Sequence, residues 1–222
     1  MKPEDTFRKQ REAMVYRQIE ERGIRDPRLL DVMRRLPRHW FVPPALRGQA
    51  YADKPLPIGW NATISQPYIV AAMTELLNLS GDETVLEIGT GSGYQAAVLA
   101  EMARWVHTVE YQPELAQQAA QTLSGMQIAN VAVHVGDGTL GWPQEAPYQA
   151  ILVTAAAPAL PNPLIEQLAE GGRLVIPVGG LHDQELERWR KSGGQVYREK
   201  IFPVEFVPLI GHFGWQKEDW EE

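Results

Sequence analysis

Thr84-Val85-Leu86-Glu87-Ile88-Gly89-Thr90-Gly91-Ser92-Gly93-Tyr94-Gln95-Ala96-Ala97 is the stretch on which the fold turns. A short apolar run rich in β-branched residues breaks into glycines at positions 89, 91 and 93. An alanine-rich amphipathic segment follows at once. The order is strand, tight loop, helix, with side chains stripped from the loop so that backbone can come close to a ligand.

The glycine spacing is informative. A dinucleotide fingerprint requires G-x-G-x-x-G, which would put the last glycine at 94, where the chain has Tyr94. The G-x-G-x-G form, with Glu87 two residues ahead of Gly89, is similar to the nucleoside loop of Rossmann-like methyltransferases. Thr90 and Ser92 sit between the glycines. An ordinary glycine-rich βα turn and a nicotinamide site are the competing readings.

The flanking sequence repeats the strand–helix alternation. Residues 6–22 read as a helix ending at Gly23. Asp26-Pro27 supplies an N-cap and an N1 proline for a second helix, which Pro37 stops. Residues 45–64 read as extended chain and turns, and a loop of that length in a compact domain is usually functional. A helix opens at Ser65-Gln66-Pro67 and ends at Ser80-Gly81. Strands are expected at 84–88, 106–109, 131–135, 150–153 and 174–178. Helices are expected at 94–103, from Pro113 to about Gly125, and from Asn162-Pro163 to Gly171-Gly172. Beyond Gly180 the runs 195–199 and 204–210 look strand-like, and Trp215–Glu222 reads as a loose acidic tail. Such alternation predicts an α/β fold with a doubly wound, mostly parallel sheet, helices on both faces and an N-terminal helical extension. One domain is expected over residues 1–222, divided into an N-terminal helical and substrate-loop region (1–64), a cofactor-binding core (65–180) and C-terminal strands with the tail (181–222).

Bulk composition narrows the class. At 222 residues, 44% hydrophobic and 22% charged, the chain suits one sizeable soluble core. It has no cysteine, which excludes disulfides and thiolate metal sites. Met1–Asp5 carries no apolar signal core, so a cytoplasmic address without a membrane span is expected. Residues 1–50 hold 12 Lys/Arg against 7 Asp/Glu, a net +5, and the remainder holds 9 against 21, a net −12. The sum is the overall −7. The basic part reads either as a patch for an acidic partner or as the solvated faces of two helices. It lacks the aromatic interleaving of a nucleic-acid groove. The five histidines show no ligand spacing, and no metal is expected.

In a parallel sheet, ligands sit beyond the carboxyl ends of the strands. The first such end delivers Glu87 with Gly89, Gly91 and Gly93. The second delivers Glu110, 17 residues past Gly93, with Tyr111 beside it. A carboxylate there can accept both hydroxyls of a ribose. The third delivers Gly136-Asp137-Gly138, with Asp137 suited to an adenine amine. The fourth delivers Thr154. Lys and Arg are absent from all four ends. The set therefore describes an adenosine without phosphates, and S-adenosyl-L-methionine is the expected cofactor. A carboxylate acceptor is ionised near pH 7, since its pKa is about 4. An acceptor site without an evident base therefore points to carboxyl methylation.

Nearly the whole chain, from Met14-Val15 to Phe206-Val207-Pro208-Leu209, resembles the protein-L-isoaspartate (D-aspartate) O-methyltransferase family. The marks are Phe41-Val42-Pro43, Ala50-Tyr51-Ala52-Asp53, Leu56-Pro57-Ile58-Gly59, Val85–Gln95, Gly136-Asp137-Gly138 and above all Thr63-Ile64-Ser65-Gln66-Pro67-Tyr68. The resemblance implies an enzyme that methylates the α-carboxyl of isoaspartyl residues, with D-aspartyl as a further candidate acceptor, in damaged proteins, with repair continuing through a succinimide; a monomer is expected. Ser65 matches the family's active-site serine, and Thr63, Ile64 and Trp60 fall in the substrate segment. Ser65 could also act as a helix N-cap. The family's Gly-x-Gly-Gln before Thr-Ile-Ser is here Gly59-Trp60-Asn61-Ala62, and Asn61 is a residue that tolerates left-handed backbone. The alternatives are a related methyltransferase acting on RNA or a small molecule through residues 1–50, and a non-catalytic cofactor-binding protein.

Overall fold

The computed structural model describes residues 3–216, and the side chains from residue 7 onward. Seven strands form one sheet: β3 (Thr84–Ile88), β4 (Trp105–Glu110), β5 (Val131–Val135), β6 (Tyr148–Val153), β7 (Leu168–Gly179), β8 (Gln184–Ser192) and β9 (Gln195–Val204). Their spatial order is β5-β4-β3-β6-β7-β8-β9. The first five in that order run parallel, and β8 and β9 are antiparallel. Chain order reverses between β3 and β6, and such a switch point is where open α/β sheets hold ligands.

Side chains alternate across the sheet with the period of two that strands impose. Val85, Ala150, Leu152 and Val175 join one apolar cluster, while Leu86, Ile88, Ile151, Val153, Leu174 and Ile176 join another. The first cluster also takes in α1 (Pro3–Met14), α2 (Pro27–Arg35), α3 (Pro67–Leu77), α4 (Tyr94–Ala100) and α5 (Pro113–Gly125). The second is closed by α6 (Asn162–Glu166) and Leu209. Helices thus flank both faces, but unequally.

Several local expectations are corrected. The first helix is α-helical only to Met14 and continues as a π-helical segment, Val15–Glu20. Residues 45–64 are not merely extended. They form a 3-10 segment, Pro44–Gln49, and a hairpin of β1 (Leu56–Gly59) and β2 (Ala62–Ile64). The helix from Asn162 ends at Glu166, because Leu168 already pairs with Tyr148 in the sheet. The run 204–210 is mostly irregular chain, and β8, which the sequence reading missed, lies between β7 and β9. Most of the expected tail falls at 217–222, outside the described residues.

The second helix starts as expected, with Asp26 accepting from Arg28 N and Pro27 at N1. The end of α3 is built from afar. Asn78 takes the left-handed C-cap (φ 48°). Arg173 of β7 donates to the carbonyls of Leu77 and Asn78, each at 2.6 Å. The same guanidinium lies 3.3 Å from Glu83. Glu83 also accepts from Ser80 N at 2.8 Å, Gly81 N at 2.9 Å and Ser80 Oγ at 3.0 Å.

Burial pushes the Glu83 carboxyl up, but these donors outweigh it and hold it at about 2, below its usual 4.5. A depressed carboxyl contributes stability that is present above 4.5 and is lost as pH falls through about 2. Glu83→Gln should cost about 1–3 kcal/mol at pH 7 by weakening charge-assisted bonds to the part-buried amides of Ser80 and Gly81. Urea midpoints measured across acid pH should show a steeper fall in the parent than in this variant.

Candidate functional site

A cavity of about 390 Å³ opens at the switch point. Its floor is Ile88, Gly89 and Gly91 from the end of β3, Glu110 and Tyr111 from the end of β4, Gly138 after β5, and Thr154 and Ala155 after β6. One wall is the hairpin tip, Trp60 to Thr63, and the opposite wall is residues 207–210. No Lys or Arg is among its lining residues.

The floor is shaped by the loop's backbone. Gly89 (φ +93°) passes so close to Thr154 that a Cβ there would sit 2.5 Å from its Oγ1. Thr154 Oγ1 donates to Gly89 O at 2.7 Å, bracing the turn. At Gly138 a Cβ would collide with Ile88 Cγ2. Gly89 N donates to Val109 O at 2.8 Å. Glu110 ties the far side: its Oε2 accepts from Gly91 N at 2.8 Å and its Oε1 from Gln112 N at 3.0 Å.

Glu87 and Thr90 lie beneath the floor, not on it. Glu87 is fully buried, with Oε2 accepting from Thr108 Oγ1 at 2.5 Å and Oε1 unpartnered. Thr108 Oγ1 in turn lies 2.6 Å from Thr90 Oγ1. Burial pushes the Glu87 carboxyl up to about 8, the Thr108 hydroxyl opposes this, and the charge of Glu110 adds to it.

Of the residues singled out from sequence, Trp60, Thr63, Gly89, Gly91, Glu110, Tyr111, Gly138 and Thr154 line the cavity. Ile64, Ser65, Gly93, Gly136 and Asp137 do not, and Ser92 faces a second hollow shared with Trp40 and Pro43. Asp137 is engaged within the chain. Its Oδ1 accepts from Thr139 N and Oγ1, and its Oδ2 from His212 N at 2.7 Å. The carboxylate therefore ties the C-terminal segment to the chain that follows β5.

Ser65 does not cap α3. The N-cap is Gln66, whose side chain turns to Asp53, and Pro67 occupies N1. The Ser65 hydroxyl has no hydrogen-bond partner among the described residues, while its carbonyl accepts from Arg38 Nη2 at 2.7 Å. His107 and Glu110 do not face alike; His107 Nδ1 instead lies 3.1 Å from His134 Nε2 on the neighbouring strand. Among the described residues no group of three His, Asp or Glu could hold a metal.

The hairpin tip has its own signature. Trp60 and Asn61 both take positive φ, 49° and 56°. That is the backbone of a tight two-residue hairpin turn, unusual for a bulky aromatic. Sequence reasoning missed the 207–210 wall. Pro208 inside that run, which cannot donate to a sheet ladder, was the available signal.

A cradle that a Cβ would fill, an acidic residue at the second strand end and a lining without Lys or Arg to meet phosphates fit an adenosine carrying a methionine group. The family model for protein-L-isoaspartate(D-aspartate) O-methyltransferase matches residues 9–214. Protein-L-isoaspartate O-methyltransferase 1 of Syntrophobacter fumaroxidans is 55% identical over 210 residues, covering 95% of this chain and 98% of its own. A solved protein-L-isoaspartate O-methyltransferase superposes with a TM-score of 0.83 at 28% identity, over 92% of this chain and 67% of the other. A Plasmodium falciparum structure assigned to the same enzyme, in complex with S-adenosyl-L-homocysteine, shares the fold at a TM-score of 0.77 and 24% identity, over 90% and 98% of the two chains. The chain belongs to the protein-L-isoaspartate(D-aspartate) O-methyltransferase family.

Proposed function

We propose that this chain transfers a methyl group from S-adenosyl-L-methionine to the α-carboxyl of L-isoaspartyl residues in damaged proteins. The observation that carries the reading is the cavity between the glycine loop and the Trp60–Thr63 hairpin, with the free Ser65 hydroxyl two residues beyond Thr63. The bound cofactor supplies an activated methyl on a positively charged sulfur. The Gly89–Gly93 loop, with Thr154 and Gly138, would hold the cofactor by close backbone approach. Glu110, whose two oxygens each keep a free lone pair, would accept the ribose hydroxyls, with Tyr111 beside it.

The acceptor carboxylate needs no base, since it is already ionised near neutrality. What the protein must provide is alignment, which is worth about 7–11 kcal/mol when complete. Thr63 and Ser65 would hydrogen-bond the carboxylate and aim it, and Trp60 would cover the peptide. The backbone amide nitrogen that follows then attacks the ester and expels methanol, closing a succinimide that water can reopen as ordinary aspartate.

Finer readings belong to the same proposal: one domain, acting as a monomer in the cytoplasm, on proteins rather than nucleic acid. The single-domain reading is supported by the apolar cluster that residues of α1 and α2 share with β3 and α4. No helix among the described residues is long and apolar enough to cross a membrane. Large exposed apolar side chains are spread over separate elements, which favours a monomer.

The decisive assay offers an isoaspartyl peptide beside its aspartyl twin with labelled cofactor. Label should enter the isoaspartyl peptide alone; equal or absent labelling of both would sink the proposal. Ser65→Ala should lower turnover at least tenfold with cofactor affinity within about twofold, by calorimetry. Comparable loss of both would mean a structural role. Trp60→Gly should leave the melting temperature unchanged or raised, since a left-handed aromatic costs about 1–2 kcal/mol, and should raise KM for the peptide. An unchanged KM would remove Trp60 from the substrate face.

A further inference from the structure

Arg38 is fully buried, yet among the described residues no carboxylate pairs with it. Its Nε donates to Ala50 O at 2.7 Å and its Nη2 to Ser65 O at 2.7 Å. Its Cζ lies 4.8 Å from the ring centroid of Tyr94, and its Nη1 has no partner. Burial lowers the guanidinium to about 10, so it remains a cation at neutral pH. An unpaired buried charge costs several kcal/mol. Two carbonyls alone could be held by a neutral amide side chain, so packing does not account for a charged fork here.

What the fork joins is specific. Arg38 opens the short 3-10 turn Arg38–Trp40, Ala50 precedes the substrate hairpin, and Ser65 follows it. Tyr94 is the first residue of α4, directly after Gly93 of the cofactor loop. One guanidinium therefore grips the chain on both sides of the hairpin and rests on the residue that ends the glycine loop. Because β2 stops at Ile64 and α3 starts at Pro67, no sheet or helix hydrogen bond fixes the Ser65 peptide. Arg38 supplies that restraint, and fixing the carbonyl fixes the Cα–Cβ direction, which limits the hydroxyl to the few staggered positions about χ1.

We propose that Arg38 is a positioning residue for methyl transfer, clamping the Ser65 peptide so that its hydroxyl holds the acceptor carboxylate in line with the cofactor loop. The inference rests on the proposed role of the Ser65 hydroxyl. Planar, bidentate donation is what lysine lacks, so the exchange of one cation for the other is not conservative here.

The test combines Arg38→Lys, Ser65→Ala and the double variant, assayed on the isoaspartyl peptide with calorimetry of the cofactor. Arg38→Lys should lower kcat at least tenfold, raise KM for the peptide, and leave cofactor affinity within about twofold. In the Ser65→Ala background it should lower kcat by less than twofold, because the group it positions is gone. Full multiplication of the two effects, or parental kcat in Arg38→Lys beside an impaired Ser65→Ala, overturns this inference alone. Parental kcat in Ser65→Ala overturns the underlying reading and this inference together. If Arg38→Lys does not fold, Arg38→Met fills similar space without the charge and is put through the same cycle.

Discussion

Gly89 must pass Thr154 with no side chain between them. At φ +93° its missing Cβ would lie 2.5 Å from Thr154 Oγ1, and that hydroxyl bonds the carbonyls of Ile88 and Gly89. This contact sits where the sheet's chain order reverses, between β3 and β6. It lets the loop turn sharply enough to leave a floor of bare backbone at the strand ends. Glu110 then draws the outer limb of the loop to β4 through Gly91 N. Without the close approach at Gly89 the loop would ride higher and fill the cavity that the hairpin and residues 207–210 enclose.

The N-terminal region packs on this core. Several of its cations are engaged within the chain. Arg34 pairs with Glu20, Arg35 with Asp31 and Glu101, and Arg22 with Asp53. Such exposed pairs are worth little each, about 0–1 kcal/mol. Four arginines reach carbonyls as well: Arg11 donates to Arg34 O, Arg25 to Glu20 O, Arg28 to Ser80 O, and Arg38 to Ala50 O and Ser65 O. Met14, Val15, Ile19, Leu29 and Met33 are buried in the cluster that contains Val85 and Leu99. The helices thus brace the hairpin from behind, and the hairpin can hold the exposed, left-handed Trp60 at its tip.

This arrangement suits a reaction that needs no proton removed. A carboxylate acceptor asks for restraint and for exclusion of competing orientations, and the cavity's walls are mainly apolar and backbone. The one strongly perturbed carboxyl nearby, Glu87, is sealed beneath the loop by Thr108 and Thr90 and does not reach the cavity.

The amino-acid sequence alone determined whatever is set by residues near one another in the chain. The run from Thr84 to Ala97 specified strand, loop and helix, because alternate glycines after a β-branched run allow little else. Asp26-Pro27 and Pro113 specified helix starts, and the motif from Thr63 to Tyr68 carried the family resemblance. Tertiary structure decided whatever depends on partners distant in sequence. Asp137 was singled out from its own tripeptide alone, and only the fold shows that His212 N, 75 residues on, donates to one of its oxygens. Ser65 looked like a cap for the helix beside it, but its peptide is held by Arg38, 27 residues back. The run at 204–210 looked like a strand, but after Val204 it makes only isolated bridges, Pro208 with Ala156 and Ile210 with Trp215. Local periodicity reports the forces within a few residues of the chain, and the contacts that aim this site are made by groups that meet only once the sheet has formed.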